Sequence, residues 1–167
     1  MGFEPLALNT YKTVTTSGYI GSMYNFCANP KPACLRTNPD LTIARLPQST
    51  YTMTYVNGGV SYKGSAINAN STGYMMFMCG DQPFTHIKTD NTTGRSLLIF
   101  KESYGNAFAP YMIDYYDQVV VVDNRYNTKS VAAIIQEYGI TDALIINNIQ
   151  ASNDSNQINW LKKQIAS

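Results

Sequence analysis

The chain has 167 residues, enough for one domain with a real core or one domain with an appendage. Only 14% of them are charged, against roughly 25% in a typical soluble domain, and the net charge is +1 with no Lys/Arg cluster, which argues against a nucleic-acid partner held by phosphate neutralisation. No apolar run approaches the ~20 residues that span a bilayer, and no basic-then-apolar segment opens the sequence.

The opening residues, MGFEPLAL, read as the C-terminal cap of a helix followed by a turn, so Met1 is expected to be an internal position of a longer protein. Residues 14–30 predict a short helix capped by Ser17 and carrying Tyr19, Ile20, Met23, Tyr24 and Cys27. Cys27 and Cys34 bracket a Pro-rich loop, CANPKPAC, and both a disulfide in an oxidising compartment and two free thiols are open. One His and no CxxC argue against a metal, and no cofactor is expected. A β-rich stretch follows. Residues 41–47 and 50–57 alternate, Asn57-Gly58-Gly59 signals a hairpin into 60–67, 73–80 reads as a buried strand with Cys79 as a small buried hydrophobe, and 83–90 alternates again.

From Arg95 the rhythm changes. SLLIFK (96–101) and QVVVVD (118–123) are continuous apolar runs, as expected of strands buried on both faces, and DALIINN (142–148) is a third strand. Helices are expected over 102–116, over 128–139 with Thr128 as cap and Gly139 just past the end, and after a cap at Ser155 or Asn156. The architecture is therefore α/β. Residues 1–94 form a β-rich region with a short helix, part of the same fold or an insertion, and residues 95–167 form a βαβαβα portion with a parallel, three-layer, flavodoxin-like arrangement.

In such sheets ligands bind at the carboxyl ends of the strands, here at Lys101-Glu102-Ser103, Asp123-Asn124-Arg125 and Asn147 to Gln150. Ser103 leaves a buried strand and precedes a helix, where backbone amides stabilise an oxyanion; the blander reading is a helix cap. Asn148 offers a side-chain amide to the same oxyanion, or simply a strand-end turn. Arg125 suits an anionic substrate group, or a structural ion pair with Asp123 or Glu102. A receiver-like domain with Asp123 as acceptor is disfavoured, because Glu102 stands alone. His86, in an alternating strand, reads as an ordinary side chain.

The segments GRSLLIFKESYGNAFAPYMIDYYDQVVVVDNRY and IIQEYGITDALIINNIQ resemble the C-terminal part of the DHHW family, bacterial proteins related to SGNH hydrolases and alginate O-acetyltransferase-like proteins. Lys101, Ser103, Tyr104, Asn106, Phe108, Asp123, Arg125, Tyr126 and Asn148 match the family pattern. Upstream, FMCGDQPFTHIKTD and SGYIGSMYNF resemble two further family stretches. The resemblance implies an SGNH-like fold and a serine site. Ser103 would be the nucleophile, with its own N–H and Asn148 as the oxyanion hole, and Lys101, Asn106, Asp123 and Arg125 as substrate-binding candidates. It implies acyl-ester hydrolysis or O-acyl transfer on a cell-envelope glycan, outside the cytoplasm; the alternative is a non-catalytic glycan- or protein-binding module. The chain departs from the family in lacking D-H-H-W and in carrying Glu102 where the family has Asp. It also shows no clear second-block Gly near Asp123. The catalytic Asp-His pair is thus expected upstream of these residues. The sequence leaves the oligomeric state open.

Overall fold

Apolar runs such as SLLIFK and QVVVVD are stable only where both strand faces are covered. The computed structural model, which describes residues 2–21, 24 and 26–166, places these two at the centre of a six-stranded sheet. The strands of that sheet are β3 (Tyr51–Asn57), β4 (Val60–Gly64), β5 (Phe84–Thr89), β6 (Ser96–Lys101), β7 (Gln118–Asp123) and β8 (Asp142–Ile146). Their spatial order is β4-β3-β5-β7-β6-β8. β6 runs parallel to both β7 and β8, whereas β5 joins β7 antiparallel and continues into the β3–β4 hairpin. The fold is mixed α/β, with a mostly β-sheet core and few helices.

Alternate residues of the central strands feed two cores. Leu97, Ile99, Val119 and Val121 face Ala109 and Met112 of α2 (Gly105–Met112), together with Ile113 and Tyr116. Leu98, Phe100, Val120 and Val122 face Val131 and Ile134 of α3 (Val131–Tyr138) and Leu161 of α5 (Ser155–Ala166). Each such side chain contributes about 1.5–3 kcal/mol by leaving water. The helix after β7 starts later than Thr128: Asn127 bonds the N–H and carbonyl of Lys129 and holds a turn there, and Ser130 Oγ accepts from Ala133 N at 3.1 Å. It ends as expected at Gly139, whose φ of 56° suits glycine. Asp154, not Ser155 or Asn156, caps α5, accepting from the N–H groups of Asn156 and Gln157.

The first half departs further from expectation. Residues 13–19 form β1 (Thr13–Tyr19), not a helix: the β-branched Val14-Thr15-Thr16 run favours a strand, and Ser17 pairs with Leu41 in the ladder. Ser22, Met23 and Asn25 of the expected helix lie outside the described residues, as does Met1. After α1 (Ala33–Thr37), β2 (Asp40–Arg45) returns antiparallel to β1, giving a separate two-stranded ribbon. The expected strand over 73–80 is a 3-10 turn, Gly73–Met76, followed by Met78 and Cys79 at φ 55° and 58°. Its apolar character is satisfied by tucking Met76 and Met78 into cores rather than by pairing, and Cys79 is only half-buried. Ala44, Ile67 and Met76 then tie the ribbon to this turn. No disulfide joins Cys27 to Cys34. Phe3 stacks on Tyr115 with ring centroids 4.2 Å apart. Among the described residues no helix is long and apolar enough to cross a membrane.

Candidate active site

The first parallel strand, β6, lies between the second and the third, so the chain leaves the carboxyl ends of β6 and β8 towards opposite sides and opens a crevice there. Ser103 sits in the tight turn between β6 and α2. Gly105 makes that turn possible, because a Cβ at this position would lie 2.3 Å from Lys101 Cβ. Ser103 does not cap α2. Its Oγ donates to Glu102 Oε2 at 2.8 Å, and the capping position, Tyr104, makes no side-chain bond.

Glu102, only 3% exposed, is a hub rather than the ion-pair partner of Arg125 that the sequence allowed, since Arg125 pairs with Asp123 and Asp81. Its carboxylate also accepts from Tyr104 N at 3.2 Å, Asn148 N at 3.1 Å and Asn148 Nδ2 at 3.2 Å. Ser103 and Asn148, from two different strand ends, therefore meet on the same carboxylate oxygen. Asn148 Oδ1 meanwhile accepts from Ala151 N at 2.7 Å and caps α4 (Ile149–Ser152). The strand-end and capping reading of Asn148 thus holds together with its place beside Ser103.

The four residues proposed from sequence to touch substrate are brought together, but beneath the turn. Lys101 is 1% exposed, and Asn106 and Asp123 are fully buried. Lys101 Nζ donates to Asp123 Oδ2 at 2.9 Å and to Asp81 Oδ1 at 3.1 Å. Arg125 grips both Asp123 oxygens, at 2.9 and 2.7 Å, and pairs with Asp81 Oδ2 at 2.9 Å. Asn106 Nδ2 donates to Asp81 Oδ1 at 3.1 Å and to the Tyr74 hydroxyl, which itself donates to Asp81. Two cations face two carboxylates, so the buried charge is balanced. Both Asp123 oxygens are taken, which leaves no acceptor of the receiver type.

The electrostatics follow from these contacts. Burial works against the Asp81 charge, but the Tyr74 hydrogen bond, Lys101 and Arg125 hold its carboxyl below the ordinary range. Burial, and then the bond and charge of Asp81, push the Tyr74 phenol up. The Asp123 hydrogen bonds outweigh desolvation and hold Arg125 as a cation. The network joins the ends of β6 and β7, the first turn of α2 and the 73–81 segment into one frame around Ser103. Asp81 and Tyr74 were not singled out from sequence; the only signal was that Asp81 lies in the family-like stretch after Gly80.

Above the frame lies a cleft of about 820 Å³. Ser103 and Tyr104 line it, with Tyr19 and residues 40–43 of the ribbon, and Gly73, Tyr74, Phe77 and Asp81 of the turn segment. His86 is elsewhere. It pairs in register with Val120, level with Leu98, and its ring meets Gln118 Oε1 at 3.0 Å and the Tyr138 ring at 4.8 Å. That position is about 10 Å down the sheet from Lys101 and two strands across. Among the described residues no imidazole is in reach of Ser103.

A family model described as DHHW protein matches residues 1–122. Among solved structures, a DHHW family protein from Eubacterium siraeum is similar at a TM-score of 0.84 and 32% identity, over 96% of this chain and 55% of its own. Bacillus cereus PatB1 with a sulfonyl adduct is similar at 0.68 and 18% identity, over 89% of this chain and 50% of its own. A second PatB1 structure gives 0.67 and 20% identity, over 86% and 50%. At that identity the likeness to PatB1 shows the fold alone. The chain spans about half the length of these solved relatives. A comparison with curated proteins finds no match.

Proposed function

The chain belongs to the DHHW family, and from that premise we propose that it carries the nucleophile half of an SGNH-like serine site for acyl-ester chemistry on a cell-envelope glycan. The observation that carries this reading is the convergence of Ser103 Oγ and Asn148 Nδ2 on Glu102 Oε2 at the mouth of a cleft. In the proposed reaction Ser103 Oγ attacks the acyl carbonyl while a base takes its proton. The Ser103 N–H and Asn148 hold the oxyanion. The Asn148 amide carries two hydrogens and the Glu102 bond takes one, leaving the second for this task. The sugar oxygen then leaves with the proton, and water (hydrolysis) or another sugar hydroxyl (transfer) releases the acyl group. Lys101, Asn106, Asp123 and Arg125 act as the frame that fixes Ser103. The reaction calls for no cofactor.

The base, an Asp-activated His, is assigned to the part of the family's length outside these 167 residues, since His86 lies too far away. Bacillus cereus PatB1 has been solved with a sulfonyl adduct, and because sulfonyl reagents trap activated nucleophiles this favours, by analogy, a nucleophile in the shared fold. The site is assigned to the cell envelope on the family resemblance. Turnover of p-nitrophenyl acetate by the full-length gene product tests the reading. Ser103→Ala should abolish it, and Asn148→Ala should lower kcat by about 10²-fold. The second reading, a non-catalytic glycan-binding module, is favoured by the occupied Ser103 hydroxyl and the aromatic cleft; it predicts no turnover and no effect of either variant.

A further inference from the structure

Next to the Ser103 cleft is a second hollow of about 520 Å³, formed by residues 18–21 of the ribbon with Tyr24, Tyr74 and Met75. Tyr19 and Tyr74 line both hollows, so the two make one groove that leads away from Ser103. Both tyrosines are fixed before any ligand arrives. The Tyr19 ring lies directly on Gly73: a Cβ there would sit 2.1 Å from a ring carbon, and Gly73 takes a φ of +55°. The Tyr74 hydroxyl is held between Asp81 and Asn106. A ring already held in place loses little freedom on binding.

The charge of the groove is as informative as its shape. Among the described residues that line it, none is Lys or Arg, and the ionised side chains are Asp40 and Asp81. Lys101 and Arg125, behind the wall, already answer Asp81, and Lys31 at the outer end lies over the Tyr24 ring at 4.8 Å. A chain of phosphates or uronates would find no Lys or Arg among the described lining residues to answer its charge. The C–H face of an uncharged sugar packs on a tyrosine ring as apolar surface, and its hydroxyls can reach Asp40 and Thr42.

We propose that this groove is a subsite for a chain of uncharged sugars, with Tyr19 and Tyr74 as stacking platforms extending from the position of Ser103. The proposal rests on the glycan reading of the Ser103 site and narrows it from any envelope glycan to an uncharged one. It concerns binding, so it is testable apart from catalysis.

The test is calorimetric titration of the full-length gene product, in the Ser103→Ala background, with the N-acetylglucosamine hexamer, with cellohexaose and with polygalacturonate. At least one neutral hexamer should bind with a Kd below about 1 mM, and polygalacturonate should not bind in that range. Tyr19→Ala should weaken binding about tenfold or more, whereas Tyr19→Phe should keep it within about threefold. Gly73→Ala, which leaves Tyr19 in place but displaces its ring, should mimic Tyr19→Ala, with unchanged far-ultraviolet circular dichroism confirming the fold. Absence of binding to both hexamers by folded protein overturns the proposal, as does tighter binding of polygalacturonate or indifference to Tyr19→Ala. Tyr19-dependent binding without serine reactivity would refute the catalytic reading alone; serine reactivity without such binding would refute the subsite alone.

Discussion

At the amino ends of the parallel strands Arg95 meets Asp142 at 2.7 Å, with about a quarter of each side chain exposed (27% and 25%). At the carboxyl ends Lys101 meets Asp123 at 2.9 Å with 2% and 0% exposed, at the buried centre of a network whose rim, Arg125 and Asp81, is 20% and 25% exposed and which also holds Asn106 and Tyr74. The partners are chemically alike but their energetics differ. In water an ion pair is screened and nearly dispensable. Out of water every charge depends on its partner, and removing one strands the rest. A buried network is therefore a poor source of net stability but a strict device for geometry. Here it lies directly under the turn that carries Ser103.

Four substitutions sharpen this contrast, the Lys101→Met and Arg95→Met pair first and the rest in falling order of effect. Lys101→Met should lower stability in urea denaturation by about 3–5 kcal/mol, because Asp123 and Asp81 lose a buried cation. Arg95→Met at the other end should cost far less, and equal losses would break the comparison. Asp81→Asn should cost about 2 kcal/mol at neutral pH by weakening its charged hydrogen bonds. Because the folded pKa of Asp81 is depressed, its contribution is present above the ordinary carboxylate value. It is lost as pH falls through the lower folded value. The melting-temperature gap between Asp81→Asn and the parent chain should therefore narrow below about pH 4. A gap that widens in acid would contradict the assignment. Ser130→Ala, which removes only the cap of α3, should cost about 1 kcal/mol and leave the network untouched.

What the sequence disclosed follows from the same physics. β6 and β7 were legible to the residue, because their middle residues, buried on both faces, form unbroken apolar runs that stop at polar ends. The hairpin was legible because Gly58 and Gly59, at φ 57° and 80°, are the residues a two-residue turn requires. β1 was not, since its small and aromatic residues carry no clear period and its partner strand lies more than twenty residues away. The 73–80 segment misled because burial of Met76 and Met78 in a turn has the same composition as a strand. Ser103 and Asn148 were singled out because each is a polar residue at the end of an apolar run, and both side chains bond Glu102 Oε2. The Tyr74–Asp81–Asn106 contacts were not, because they join segments with no fixed spacing. His86, the sole histidine, reads from its alternating strand as an ordinary side chain, and it faces Gln118 and Tyr138. His86→Ala should leave any reactivity of Ser103 unchanged.

The most direct test of the central claim is covalent trapping of Ser103. The full-length gene product would be treated with a sulfonyl fluoride and mapped by peptide mass spectrometry, beside its Ser103→Ala variant. A single adduct is expected on the peptide that contains Ser103, absent in the variant and insensitive to His86→Ala. A folded protein that takes up no label, or takes it equally without Ser103, would contradict an activated serine and leave the glycan-binding module as the function of this site.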